Sequence, residues 1–362
     1  MTLRILSSGR WCLCAFTLCA LTGCADTGYL LQAIQGHLRV LQASKPVEQW
    51  LSDENTPDEL QQRLQLAQRM RSFAVSDLGL PDNASYHRYA DLQRSAVVWN
   101  VVAAPAFSLT LQTWCFPVAG CVGYKGYFEE AQAQAESLRL QALGLEVSVY
   151  GVPAYSTLGW MNWAGGDPLL NTFIRYPEGE LARMIFHELA HQLLYVQDDT
   201  VFNESFATAV ERLGAQRWLA AHASPEAQEE YSQLNARRQQ FRALTRATRW
   251  ELDRIYSQPE NRNDLPTRKA RALQDFRERY AQLKSSWGGY TGYDAWVAKA
   301  NNASFGALAA YDELVPGFEA LFRVNGQDWR RFYDAVRVLV PRPKEERTQI
   351  LKQLISPETA RG

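Results

Sequence analysis

The sequence predicts a predominantly helical α+β protein, and three observations lead there. Apolar residues recur at helical spacing in one stretch after another, most clearly around 181–194. Strand formers cluster only between 96 and 111 and again at 146–150, enough for one small sheet. The strand-rich part also precedes the two helical stretches that carry the most distinctive motif of the chain.

Taken in order, 30–41 and 57–73 read as amphipathic helices, the second begun by Thr56 and Pro57. The segments 96–102 and 106–111 flank Pro105 and are both expected in the sheet. A helix over 128–143 ends at Gly144, and 146–150 follows as a strand. The segment 154–158 is expected to be extended. Carboxylates at Glu178 and Glu180 suit the first turn of a helix that continues through Leu181, Met184, Ile185, Leu189, Leu193 and Leu194. After the polar turn Gln197-Asp198-Asp199-Thr200, Asn203 is the expected N-cap of a second helix through Phe206, Val210, Leu213 and Trp218. From 225 to about 284 the charge pattern predicts two long solvated helices joined across 259–266. The motif Asn301-Asn302-Ala303 reads as a helix cap in preference to a clamp on substrate amides.

Chemistry concentrates at His187-Glu188-Leu189-Ala190-His191. Two His four apart leave one face of a helix and can grip a single metal ion, and Glu188 beside them can take a proton from water. Glu204 supplies a third ligand. A His2Glu set leaves one position open, as a catalytic zinc requires, so one Zn2+ per chain is expected. Glu211 lies seven residues beyond Glu204, on nearly the same helical face. It is a candidate to orient His187 or His191 from the outside, in competition with Asp198 and Asp199, and is itself a rival for the ligand position. Trp287-Gly-Gly-Tyr290-Thr-Gly-Tyr293 is a Gly-rich turn with two phenols. Tyr290 or Tyr293 could hydrogen-bond the oxyanion of a tetrahedral intermediate, against the alternative of structural aromatics at a turn.

With the third ligand in place, His187-Glu-x-x-His191 followed by Asn203-Glu204-x-x-Ala207 resembles the gluzincin metallopeptidases, among them thermolysin-like enzymes and zinc aminopeptidases of the membrane-alanyl type. The resemblance implies zinc on His187, His191 and Glu204, with Glu188 as general base and proton shuttle. It also implies a zincin-like catalytic domain with a small sheet, additional C-terminal helices, and an edge strand that receives a peptide substrate. Residues 155–159 are the candidate edge. Trp114-Cys-Phe-Pro-Val-Ala-Gly-Cys121, Tyr155-Ser-Thr-Leu-Gly-Trp160, the motif helices and Asn301-Asn-Ala303 are similar to a family of proteobacterial lipoproteins described as predicted aminopeptidases. Two features differ from the membrane-alanyl type. Only twelve residues separate His191 from Glu204, so the connection is a tight loop. The strand that holds the substrate amine there reads Gly-x-Met-Glu-Asn, whereas the nearest match here, Gly159-Trp-Met-Asn162, has no Glu; Asp167, Glu178 and Glu180 are possible substitutes. The expected function is zinc-dependent peptide hydrolysis, as an aminopeptidase. The alternatives are an endopeptidase without N-terminal preference, and a non-catalytic peptide-binding or assembly lipoprotein.

The N-terminus fits a lipoprotein. Arg4 and Arg10 precede an apolar stretch to Leu21 that is too short to span a bilayer, and Leu21-Thr-Gly-Cys24 resembles a bacterial lipobox. Cleavage before Cys24 and its acylation would anchor the chain to the cell envelope; Ala25 after the Cys favours the outer membrane, facing the periplasm. Three cysteines fall in the signal, which leaves Cys115 and Cys121. With no His or second Cys pair nearby, a disulfide is favoured over a thiolate metal site. Net charge of −1 and the lack of a basic stripe exclude a nucleic-acid partner. The expected organisation is a signal over 1–23, a helical segment over 24–95, the catalytic core over 96–222 and a helical C-terminal region over 223–362.

Overall fold

The computed structural model describes residues 24–116, 120–159, 162–258, 263–309 and 313–355. The expected signal (1–23) lies outside the described residues, as do 117–119 of the cysteine loop, Trp160 and Met161, and 259–262 of the connection between the long helices. Chain order gives α1 (Cys24–Ala43), β1 (Lys45–Pro46), α2 (Val47–Ser52), α3 (Asp58–Ser76), β2 (Arg88–Ala90), β3 (Val98–Pro105), β4 (Trp114–Phe116), β5 (Gly120–Val122), β6 (Lys125–Tyr127), α4 (Glu130–Ala142) and β7 (Leu145–Val152). Then follow β8 (Leu169–Leu170), α5 (Glu178–Leu193), α6 (Thr200–His222), α7 (Pro225–Tyr256), α8 (Leu265–Ser286), α9 (Asp294–Ala298), α10 (Asn302–Ala309), α11 (Val315–Val324), α12 (Trp329–Leu339) and α13 (Lys344–Gln353). Helices dominate and the sheets are small, so the class is predominantly helical α+β. None of the described helices is long and apolar enough to cross a membrane.

The main sheet runs β6-β3-β7 and is antiparallel throughout, with Val101 opposite Val149 and Trp99 opposite Tyr127. Val101 and Ala103 pack with Ala133 and Leu140 of α4, whereas Val102 and Ala104 meet Ala303 of α10. Covering both faces explains why β3 reads as an apolar run, broken only by Asn100, and not as an alternation. Residues 106–111, expected as a second strand, form a turn and an irregular segment instead. The carbonyls that would extend the ladder are taken by side chains: Lys269 Nζ donates to Ala106 O at 2.8 Å, and Asn302 Nδ2 donates to Pro105 O and Ala106 O. Asn301 caps α10, its Oδ1 accepting from Ser304 N at 3.1 Å.

The metal-motif helices α5 and α6 make the most extensive helix pair of the molecule. α5 buries Leu181, Ile185, Phe186, Leu189 and Ala190, and α6 is buried from Phe202 to Glu211. Gly214 permits the approach, since a Cβ there would lie 2.7 Å from Leu78 and 3.0 Å from Phe186. The largest core runs from Val40 to Leu351 and draws on α1, α3, α5, α6 and α11–α13, with Phe206 against Phe318 and Phe332. The two long charged helices differ from expectation. α7 and α8 bury a shared face around Phe241, Phe276 and Tyr280, so they enclose a second core and are solvated only on the outside.

Candidate metal centre

One helical turn separates His187 from His191, which brings their Nε2 atoms to 3.1 Å. From α6, Glu204 places Oε2 3.4 Å from the first and 3.7 Å from the second. The three ligating atoms lie within 4.8 Å of one another, and these are the residues that could hold a metal. Glu188 is buried beside them.

The connection that delivers Glu204 is built differently from expectation. α6 begins a turn early: Asp199 is its N-cap, with Oδ1 accepting from Phe202 N at 3.3 Å. Glu204 therefore stands in the second turn. Asn203, expected as the cap, lies inside the helix and stitches the preceding loop instead. Its Oδ1 accepts from Val196 N at 2.8 Å and its Nδ2 donates to Val196 O at 2.7 Å.

Glu211 stands behind the cluster and accepts the Nδ1 hydrogen of His187 at 2.9 Å. Arg183, one turn before His187, holds the other oxygen of Glu211 from two guanidinium nitrogens. This arrangement selects the His187 tautomer whose Nε2 lone pair points at the cluster, the form a metal ligand needs. Sequence spacing marks Arg183 as well, since i−4 from His187 puts a cation on the metal-facing side of α5. Asp198 and Asp199 do not enter this shell. Asp198 accepts from Cys121 N at 2.6 Å, and Asp199 is spent on the helix cap and on Arg347, whose Nη2 donates at 2.7 Å.

The electrostatics agree with a cation site. Burial opposes a proton on His187, yet its bonds to Glu204 and Glu211 hold the imidazole pKa well above its usual value. Burial would raise Glu211, but Arg183 and His187 outweigh it and bring the carboxyl down to about 2. Burial would likewise raise Glu204, which His191 and His187 pull well below the ordinary carboxylate range. Glu188 moves the other way, raised by burial with the two His opposing. Glu188, Glu204 and Glu211 thus face Arg183 across two imidazoles, and once the imidazoles give up their protons a divalent ion would balance the remaining negative charge. The mixed N, N, O donor set suits zinc.

A cavity of about 710 Å3 opens onto the cluster. Residues 154–158 form one wall, but they join no β-ladder, so the expected edge strand is absent here. Leu158 and Gly159 take left-handed conformations, at φ 55° and 77°, and Thr157 N is committed to Asp167 Oδ2 at 3.0 Å. Asp167 is tied in turn to Gln192 beside His191, at 2.9 Å, so the wall is fastened to α5. Burial raises the Asp167 pKa to about 6. Glu178 and Glu180, the other proposed stand-ins for an amine-binding acid, pair with Trp218 and Arg238 away from the cavity.

The catalytic tyrosines expected at the Gly-rich turn are elsewhere. Tyr293 stacks on Phe241 with ring centroids 4.0 Å apart, and Tyr290 lies against Trp287 and Tyr293 under Arg237. Both belong to the aromatic cluster of α7 and α8. The cavity is lined by Tyr29, Tyr124, Tyr155 and Tyr195 in their place. Of these, Tyr155 belongs to the segment expected as the substrate edge, and Tyr195 carries a signal in standing four residues beyond His191. Cys115 and Cys121, opposite one another in the β4–β5 hairpin, are joined by a disulfide. Phe116 and Val122 of that hairpin also line the cavity.

Comparison with protein families matches residues 28–351 to the family described as "Putative aminopeptidase". The chain belongs to this family. The match takes in His187, His191, Glu204 and every described residue that lines the cavity, and so the family match and the geometry concern the same part of the chain. No curated protein and no solved structure matches.

Proposed function

We propose that the chain is a zinc-dependent peptidase, acting as an aminopeptidase, with Glu188 as general base. The observation that carries this reading is the convergence of His187, His191 and Glu204 within 4.8 Å at the end of a cavity, with Glu188 buried beside them. Zinc held by these three residues supplies a Lewis acid for a carbonyl and lowers the pKa of water towards neutrality. Glu188 accepts the proton of the attacking water and returns it to the leaving amine, a task suited to a carboxyl whose pKa burial raises. Glu211 and Arg183 keep His187 in its ligating tautomer.

A second reading, cleavage within chains, draws on the cavity lining, whose only acids among the described residues are Glu188 and Glu204. No further carboxylate among the lining residues waits for a free amine. The test combines zinc content of the purified chain with hydrolysis of paired peptides, one free and one blocked at the N-terminus. Zinc at one per chain with cleavage of the free peptide alone supports the aminopeptidase. Cleavage of both selects the endopeptidase, and a zinc-free, inactive chain removes both readings.

The reading extends to location. Acylated Cys24 would anchor the chain to the bacterial envelope, with the body in the periplasm. Mass spectrometry of the mature N-terminus and membrane fractionation of Cys24→Ser test it, and an unprocessed Met1 terminus would count against it.

A further inference from the structure

α1 presents Leu30, Ile34 and Leu38 to the metal cavity, spaced as one face of the helix. Their exposures of 40%, 57% and 45% are large for apolar side chains on a helix fixed at its other sides. α1 is fixed by Gln32, which donates to Gly126 O and accepts from Phe128 N, each at 3.2 Å, and by Gly36, where a Cβ would lie 2.1 Å from the Phe128 ring. The apolar face is thus held at the cavity and filled by no neighbouring side chain.

Charge narrows what can fill it. Among the described residues the lining contains no Lys, Arg or Asp, and its two acids, Glu188 and Glu204, stand at the candidate metal cluster. His37, the only other imidazole there, meets Tyr155 Oη at 2.5 Å, and burial lowers its pKa. A charged side chain laid on the α1 face would lose part of its hydration, and none of the α1 residues that line the cavity offers it an opposite charge.

We infer that the α1 face is the subsite for a substrate side chain, and that the substrates are peptides with a large neutral apolar residue, Leu- or Phe-like, beside the scissile bond. Cleavage of that bond rests on the proposed peptidase reading, whereas binding at the subsite does not.

The test uses the full mature chain with zinc and a peptide series differing at one residue: Leu, Phe, Lys or Glu. The Leu and Phe peptides should exceed the Lys and Glu peptides in kcat/KM on the order of 100-fold. Ile34→Lys should lower the Leu-to-Glu ratio by about 10-fold or more, with its fold checked by circular dichroism. Leu31→Lys, on the same helix but off the cavity lining, should leave that ratio unchanged. Equal turnover of Leu and Lys peptides by the unsubstituted chain, or an unaltered ratio in Ile34→Lys, overturns the subsite. If no peptide is cleaved, the peptidase reading fails alone, because calorimetric titration with the same peptides still decides the subsite: tighter binding of Leu and Phe supports it and equal binding rejects it.

Discussion

Glu211 holds the Nδ1 of His187 at 2.9 Å from the same helix that brings Glu204 to its Nε2 at 3.4 Å. A single imidazole is therefore gripped from both ends by carboxylates seven residues apart on α6, and Arg183 keeps the outer one ionised. The separation along the helix, roughly 10 Å, assigns the two acids different work. Glu204 joins His187 and His191 in the cluster, and Glu211 governs the tautomer of His187.

Glu211→Gln should consequently weaken zinc binding by roughly 10- to 100-fold while leaving the three ligands in place. Competition with a chelator of known affinity measures it. Glu204→Ala should cost far more, since it removes one of three ligands. Equal losses in the two variants would place both acids on the metal.

Glu188→Gln should retain zinc and lose hydrolysis by about 100-fold or more, because the amide keeps the shape of the acid but accepts no proton. The measurement is kcat on any cleaved peptide, paired with metal content. Unchanged turnover at full zinc occupancy would take Glu188 out of the mechanism.

The convergence of His187, His191 and Glu204 is legible in sequence because its logic is local. Two His at i, i+4 share a helix face whatever the remaining fold does, and an acid opening the next helical stretch is within reach of them. The helices α1 and α3–α8 and the strands β3 and β7 are legible for the same reason, since periodicity needs only neighbours; the two- and three-residue strands are too short to carry a period. What escapes depends on distant partners. Propensity favours a strand at 106–111, but Lys269 and Asn302, more than 150 residues away, both take the carbonyl of Ala106, where it would begin. Tyr290 and Tyr124 look equally suitable as phenols near Gly. Only packing decides that one joins the Phe241 cluster and the other lines the cavity. Asn203 shows the limit at short range: a good capping residue becomes a loop stitch because Asp199, four positions earlier, caps first.

Asn203→Ala should therefore act on stability and, through the loop, on the metal. The substitution strips both backbone groups of Val196, a buried residue, of their partner. An unsatisfied buried group costs about 1–3 kcal/mol, so the denaturation midpoint should fall measurably. Zinc affinity should fall with it, because the released loop joins the helices that carry His191 and Glu204. A variant as stable as the parent would mean that Val196 finds other partners.

Asp167 makes stability depend on pH. Burial raises its pKa from 3.8 to about 6, so the folded chain binds this proton more tightly than the unfolded one. The stabilisation from the bound proton is fully present below pH 3.8 and is lost as pH rises through about 6. By linkage the difference is at most about 3 kcal/mol, since each unit is worth ~1.4 kcal/mol. Asp167→Asn imitates the protonated acid: its carbonyl can accept from Thr157 N and Gln192 as the carboxyl does. The variant should match the parent near pH 4 and exceed it in stability near pH 8. Urea denaturation at the two pH values reads the effect directly, with Asp167→Asn minus parent cancelling the titration of Glu188 and Glu180. If the two curves keep a constant separation across that range, folding leaves the proton affinity of Asp167 unchanged and the wall it fastens to α5 carries no pH dependence.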